Sequence, residues 1–445
     1  MKKWTLIIMV IMLTGILVLS GCTNSTPVTT SAPAANPIPA KTVETSTAAE
    51  TSAPAASTTA ASANGNETIT IGVLMNYSWG TDDAKSLDIM ADWENANGGL
   101  DIGGKKYNIK FIVYDSKGSQ TAGLSAVNRL IFEDKVKFIL CSFDTSSDSY
   151  LPTTEENKVI FITDTYIPTM LTPDKHYCFN AGIVTTMSLC SPAWFARTYP
   201  DKSKIVGIYP DNAMGHGTAE DTKAKLAFFN KTDVTMEYYP LSSQDLSALG
   251  TKVTNLSPDV VFVGGGGAVL DSIVIKALHN AGFNGLLFNT SPTPAVQLTE
   301  LVPPEALGNY ACCAIPMEFD PPLTDAAKKL KDAWVAQYGT WKGQAQGYSM
   351  WSCLREALVE AGALDPDKIS DTISNGMKFE GPAGIFQMVS RPDMGNTRTV
   401  DAAWEIYFKT IKDGKPVYLD TFSLSDVTAI YQSFFKASSA GAYSK

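Results

Sequence analysis

The chain has 445 residues, a formal charge of −10 from 35 basic and 45 acidic side chains, and seven cysteines. That length allows two or three domains, and a hydrophobic content of 44% is ordinary for a globular protein. Wholesale disorder, a collagen-like repeat and a dense disulfide scaffold are excluded, and an acidic balance without a basic run leaves no footprint for nucleic acid.

Lys2 and Lys3 precede an apolar run from Leu6 to Leu19, a pattern that reads as an export signal and is too short for a stable membrane span. The run ends in Leu19-Ser20-Gly21-Cys22, small residues before a cysteine. From Thr23 to Asn66 the chain is almost wholly Thr, Ser, Ala, Pro and Asn, with no aromatic residue. Such a segment cannot bury enough apolar surface to offset its ordering entropy, and predicts a tether with a coil reach of about 35 Å. The folded part is therefore expected from Glu67, giving a division into 1–21 (signal) and 22–66 (tether) before it. Loss of Lys2 and Lys3 with the signal takes the formal charge from −10 to −12, so the mature surface would not cling to anionic lipid.

Strands and helices then alternate. Ile69–Met75 reads as a buried strand, and Asp83–Asn97 as a helix with Leu87, Met90, Ala91 and Glu94 at helical spacing and a Gly98-Gly99 stop. Strands at 108–114, 137–141 and 159–163 follow, with helices at 120–132 and 145–157 between them. After a looser stretch from Tyr166 to Asn180 the series restarts. Strands are expected at 204–209, 234–239, 259–263 and 286–289, among helices at 187–199, 215–229, 245–256 and 269–281. Helices at 324–338 and 346–361 suggest a return to the first lobe, and 403–419 reads as a hairpin turning at Lys412-Asp413-Gly414-Lys415. The alternation argues for parallel sheets with right-handed crossovers, so the predicted class is α/β: two doubly wound, Rossmann-like lobes joined by crossover strands. Ligands bind such sheets beyond the carboxyl ends of their strands, which directs attention to a cleft between two such edges.

No catalytic constellation stands out. There is no Gly-x-Ser-x-Gly elbow, and the carboxylates are scattered. Gly264–Gly267 after a strand lacks the Lys-Ser/Thr of a phosphate loop and reads as a tight, ligand-accessible turn. His176, His216 and His279 lack metal-ligand spacing, so neither metal nor cofactor is expected. Beyond Cys22, the cysteines Cys141, Cys178, Cys190, Cys312, Cys313 and Cys353 permit disulfides whose pairing sequence cannot choose; at most one bridge is expected.

Several local pieces recur in one order: Ile71-Gly-Val-Leu, Asn95-Ala-Asn-Gly-Gly-Leu100, Gly103-Gly-Lys-Lys106, Val113-Tyr-Asp115, Asn212-Ala-Met-Gly-His-Gly217 and Asp259-Val-Val-Phe-Val-Gly-Gly265. By these, the chain from about Thr68 to Leu419 resembles the type I periplasmic binding proteins, in the leucine/isoleucine/valine-binding branch of ABC importers. The resemblance implies a non-enzymatic, monomeric protein whose lobes close on a small molecule and present it to a membrane permease with its ATPase subunits. The lobes would be 67–186 plus about 316–400, and 187–315 plus about 401–436. Leu19–Cys22 resembles a bacterial lipobox, which implies a lipid on Cys22 and an anchor on the extracytoplasmic face of the cell membrane. A sensor reporting to a membrane receptor would share the fold and the closure, and an exported hydrolase would share the α/β pattern.

Site residues carry over position by position. Trp79, beside Gly80, matches a first-lobe loop whose ring covers the ligand; the alternative is a ring that shields the first sheet. Thr145 and Ser146, with Ser147, match a hydroxyl-rich turn that holds the ligand carboxylate at a helix start, a turn equally suited to plain N-capping. Thr165 and Tyr166 match the next first-lobe loop. The second lobe departs from the family's pattern: Met214 stands where many members have an aromatic ring, Gly266 where they have a tyrosine, and Ser291 where an acid pairs with the ligand ammonium. A desolvated ammonium needs a counter-charge. Either Asp164 or Asp211 supplies it, or the ligand is an aromatic or aliphatic carboxylate, or an amide.

Overall fold

The computed structural model describes residues 65–439 except 143, 145, 165–166, 291–292, 342–345 and 382; for 78–80, 168, 213 and 346 it describes the backbone alone. The first sheet is built from β1 (Glu67–Met75), β2 (Leu100–Ile102), β3 (Lys105–Asp115), β4 (Phe138–Ser142), β5 (Ile160–Thr163) and β6 (Cys178–Asn180). Helices α1 (Tyr77–Ala96), α2 (Gln120–Phe132) and α3 (Leu151–Glu156) connect them. The second sheet holds β7 (Ile205–Pro210), β8 (Val234–Tyr239), β9 (Val260–Val263), β10 (Leu286–Asn289) and β11 (Tyr310–Ala314). Its helices are α4 (Val184–Thr198), α5 (Ala213–Phe228), α6 (Ser247–Asn255), α7 (Gly267–Asn280) and α8 (Ala295–Leu301). The chain then returns through α9 (Asp325–Tyr338), α10 (Gln346–Ala361) and α11 (Pro366–Ser374) to β12 (Lys378–Gly381), β13 (Gly384–Arg391) and β14 (Asn396–Trp404) in the first sheet. It ends with β15 (Ile406–Lys412) and β16 (Lys415–Phe422) in the second, and α12 (Leu424–Ser439).

Both sheets use one topology. The parallel strands run β3-β1-β4-β5-β6 in the first and β8-β7-β9-β10-β11 in the second, each an order of second, first, third, fourth, fifth. Central strands such as Phe138–Ser142 and Val260–Val263 are buried along their whole length, as strands covered on both faces must be. Antiparallel strands extend the edges: β2 beyond β3, β12 and β13 beyond β14, and β15 and β16 beyond β11. The expected hairpin is present. Asp413 and Gly414 have φ of 49° and 73°, the positive values that a two-residue primed turn requires.

Three expectations about elements are corrected. The first helix begins at Tyr77 rather than Asp83, because the Tyr77 N–H is taken by Asp115 Oδ1 at 3.1 Å, from the far end of β3. That cap is distant in sequence and leaves no local signal. The helix expected over 145–157 is instead a 3₁₀ turn at Ser147–Tyr150 followed by the short α3, with Pro152 in its first turn. The looser stretch ends in β6, three residues long and too short for its own pattern.

The sheets are linked by three passages of chain: Ala181–Ile183 between β6 and α4, the segment from Ile315 toward α9, and Glu405 between β14 and β15. Gly182 in the first passage lies so close to Asp164 that an added Cβ would fall 2.4 Å from the Asp164 Cα, so no side chain fits there. A buried ion pair between Glu318 and Lys409 of β15 ties the second passage to the second sheet. Glu318 also accepts the N–H of Ala295 at 3.1 Å, and Lys409 donates to the Thr293 carbonyl at 2.9 Å. Trp194, stacked on Phe408 at 4.8 Å, fills the core between α4 and the second sheet. No described helix is long and apolar enough to cross a membrane.

Candidate functional site

In a doubly wound sheet the crevice lies where successive connections leave in opposite directions, at the carboxyl ends of the strands. Here that point is β1/β4 in the first sheet and β7/β9 in the second. By chain position, each of the eight expected ligand contacts belongs to a segment following one of these strands or its neighbours β5 and β10. Thr145, Thr165, Tyr166 and Ser291 lie outside the described residues. Trp79 sits in the first turn of α1, not in a loop before it.

The first edge is strongly acidic. Asp83, Asp144 and Asp164 are all buried there. Ser142 Oγ, at the end of β4, lies 2.8 Å from Asp83 Oδ2 and 2.9 Å from Asp164 Oδ2, with one hydrogen to offer them. Asp144 accepts the Ser146 N–H at 2.8 Å and the Tyr150 hydroxyl at 2.9 Å. The backbone donor at Ser146 is thus already satisfied by the chain's own carboxylate. Ser146 makes no capping hydrogen bond through its side chain.

The second edge offers apolar side chains and an exposed acid, Asp211. Met214, in the first turn of α5, is exposed, and Val269, in the first turn of α7, is 62% exposed. These turns follow the adjacent strands β7 and β9, so two apolar groups flank the crevice. Asp211 pairs with His216 at 2.8 Å on the surface, and the His216 ring stacks on Tyr238 at 4.0 Å. Asp164 and Asp211 therefore differ as counter-charges: one is buried beside Ser142, the other is exposed and already paired.

Gly266 precedes α7 at the same edge. A Cβ placed on it would meet the Tyr239 hydroxyl oxygen at 2.5 Å and Asp271 Oδ1 at 2.9 Å. The space of a side chain at 266 is occupied by two polar groups from elsewhere in the lobe. Asp271 is fully buried in α7, and burial pushes its carboxyl up to about 7, against the opposing pull of the Asn289 amide and the Gly266 N–H. Burial likewise raises the Tyr239 hydroxyl, and Asp271 adds to the shift. Sequence reading missed Asp271 and Tyr239. Asp271 lies inside an otherwise apolar helix stretch and Tyr239 at a strand end, and only the fold brings them together.

All six cysteines beyond Cys22 are free and buried. Burial raises every one, Cys312 to about 11, so none is a thiolate nucleophile near neutral pH.

Comparison with known proteins agrees with this geometry. The "Leu/Ile/Val-binding protein homolog 3" of Brucella melitensis is 24% identical over 371 residues, covering 79% of this chain and 94% of that protein. Among solved structures, the leucine-binding protein LivK of Thermotoga maritima matches with a TM-score of 0.64 at 19% identity, over 80% of this chain and 99% of that one. A solute-binding protein of an ABC transporter from Rhodopseudomonas palustris, in complex with 3,4-dihydroxybenzoic acid, matches with a TM-score of 0.63 at 19% identity, over 80% and 98%. The model of the family described as "Periplasmic binding protein" matches residues 68–405, and this chain belongs to that family.

Proposed function

We propose that the chain is the substrate-binding component of an ABC importer, a binding protein rather than an enzyme, that captures an amino acid or a related small carboxylate or amide between its lobes. The observation that carries this reading is the duplicated topology: two sheets that share the order of five parallel strands, each with a switch point, joined by three short passages. Closure about such passages sequesters a ligand and creates the shape a permease reads. The lobes are taken as 67–186 plus about 316–400 and 187–315 plus about 401–436. β14 ends at Trp404 in one sheet and β15 begins at Ile406 in the other, which supports a change of lobe at Glu405. Trp79, Thr145, Ser146, Thr165, Tyr166, Met214, Gly266 and Ser291 remain the proposed ligand contacts. The exposed Met214 and Val269 suit a ligand with an apolar part. Cys22 is proposed to carry the lipid that holds a monomer on the extracytoplasmic face of the cell membrane.

A thermal-shift screen of amino acids, aromatic acids and small amides, confirmed by calorimetry, tests this function, because a ligand of the native state raises the melting temperature. A saturable shift with one group is expected; no shift across all three sets overturns the reading. For the anchor, labelled fatty acid is expected in the wild-type chain and absent from Cys22→Ala. Equal labelling of both removes Cys22 from the proposal.

A further inference from the structure

Away from the crevice, the second lobe has a cavity of about 130 Å³ at the amino ends of β10 and β11. It lies about 18 Å along α7 from Gly267 at the crevice edge. Its floor is apolar and buried: Ile275 and Leu278 of α7 and Leu287 of β10. Gly282, at φ of 81°, ends the helix and turns the chain back, so that the Phe283 N–H reaches the Leu278 carbonyl at 3.0 Å. Phe283 then lies across Gly285, where an added Cβ would fall 2.6 Å from its ring, and forms one wall. The opposite wall is the turn before β11, tied to the first by Asn309 Nδ2, which donates to the Asn284 carbonyl at 3.0 Å. The protein's own contacts thus fix both walls. At the mouth stand the half-buried His279, from the last turn of α7, and the exposed Glu305. They share the cavity without pairing: among the described residues neither side chain has a hydrogen bond or an ion pair.

We propose that this cavity is a second ligand site, for a small primary amine with a compact apolar body. Three features select that chemistry. The floor suits an apolar group of about six carbons, since an apolar cavity of about 150 Å³ holds benzene. The mouth is negative: Glu305 is a carboxylate, and the last turn of α7 carries the negative end of the helix dipole. An ammonium donates to the Glu305 carboxylate and to a neutral His279 imidazole at once, bridging two groups too far apart to pair directly. A ligand carboxylate would meet like charge at Glu305 and has no hydrogen to give it. The site shares no residue with the proposed contacts of the crevice, so it stands apart from the importer reading.

The mature protein is titrated by calorimetry with benzylamine and with benzyl alcohol, which share a ring and differ in the group that reaches the mouth. Benzylamine is expected to bind with a Kd of about 1 mM, as suits a compound of about eight heavy atoms. It should bind about 5-fold tighter than the alcohol, the increment of a partly exposed charge pair. Glu305→Gln should remove that preference and leave the alcohol unchanged. Ala306→Trp, at the wall of the cavity, should fill it and abolish binding of both compounds. Glu305 is exposed, so Glu305→Gln carries the test alone should Ala306→Trp fail to fold. The site is refuted, with the importer reading intact, if benzyl alcohol binds as tightly as benzylamine or if Glu305→Gln binds benzylamine like the wild type. Undiminished binding by a folded Ala306→Trp places the amine elsewhere, the crevice included, and refutes it too. So does an absence of benzylamine binding at about 10 mM.

Discussion

Replacing Asp271 by asparagine is expected to stabilise the ligand-free protein, and to do so only above the acid range. In the native state the Asp271 carboxyl titrates at about 7 instead of 3.8, because burial penalises its charged form more than the Asn289 amide and the Gly266 N–H favour it. The raised group binds its proton more tightly in the native than in the unfolded chain. Its contribution is therefore fully present below about pH 4 and is lost as the pH rises to about 7. A displacement of about three pH units corresponds to about 4 kcal/mol, at 1.36 kcal/mol per unit. Asparagine keeps the shape and cannot ionise, so the variant escapes this loss. The difference in melting temperature between variant and wild type should be small at pH 4 and grow to about 5 °C by pH 8, given the unfolding entropy of a folded region of this size. Calorimetric scans of both proteins from pH 4 to 8 measure it, and all other titrating groups cancel in the comparison. A difference that stays constant with pH would show that Asp271 ionisation is not linked to folding, and the burial argument would be wrong.

Other substitutions probe the remaining geometry. Lys409→Met leaves Glu318 buried without its cation and should cost about 3–5 kcal/mol in urea unfolding; adding Glu318→Leu should recover most of the loss, and no recovery would deny that the pair acts as a unit. Gly266→Ala places a methyl 2.5 Å from the Tyr239 oxygen and should destabilise by about 1–3 kcal/mol, with Tyr239→Phe restoring part of it; a neutral Gly266→Ala would mean the loop yields freely. Trp79→Ala should weaken the best ligand at least tenfold by calorimetry, and unchanged affinity removes Trp79 from the site. A thiol reagent should label none of Cys141, Cys178, Cys190, Cys312, Cys313 and Cys353 in the native protein and all six after denaturation.

The fold was legible where burial leaves a pattern. Continuous apolar runs such as Val260–Val263 and the amphipathic Gln120–Phe132 emerge in the structure with nearly the expected bounds. Legibility failed where a distant residue decides the local conformation. The start of α1 depends on Asp115, and the turn after β4 depends on Asp144 capturing Ser146 and Tyr150. The site shows the same division. Its location could be read, because connections at strand carboxyl ends follow from topology, and the chain order of strands is visible in sequence. Its chemistry could not. Asp271 sits in Gly267–Asn280, where its neighbours Leu270, Ile273 and Val274 suggest only a core helix, and nothing in the sequence links it to Tyr239.

Among the described residues, two groups of buried charges contrast in what holds them. Arg391 pairs with Asp401 at 3.0 Å and with Asp393 at 2.8 Å, while Lys409 pairs with Glu318 and a carbonyl. These groups brace the packing of α12 and the passages between sheets, where fixed geometry is the requirement and mutual pairing offsets desolvation. At the carboxyl edges the buried acids meet hydroxyls, backbone N–H groups and one amide: Ser142 beside Asp83 and Asp164, Tyr150 and Ser146 beside Asp144, and Asn289 and the Gly266 N–H beside Asp271, groups that fix where each carboxylate lies at its edge of the sheet.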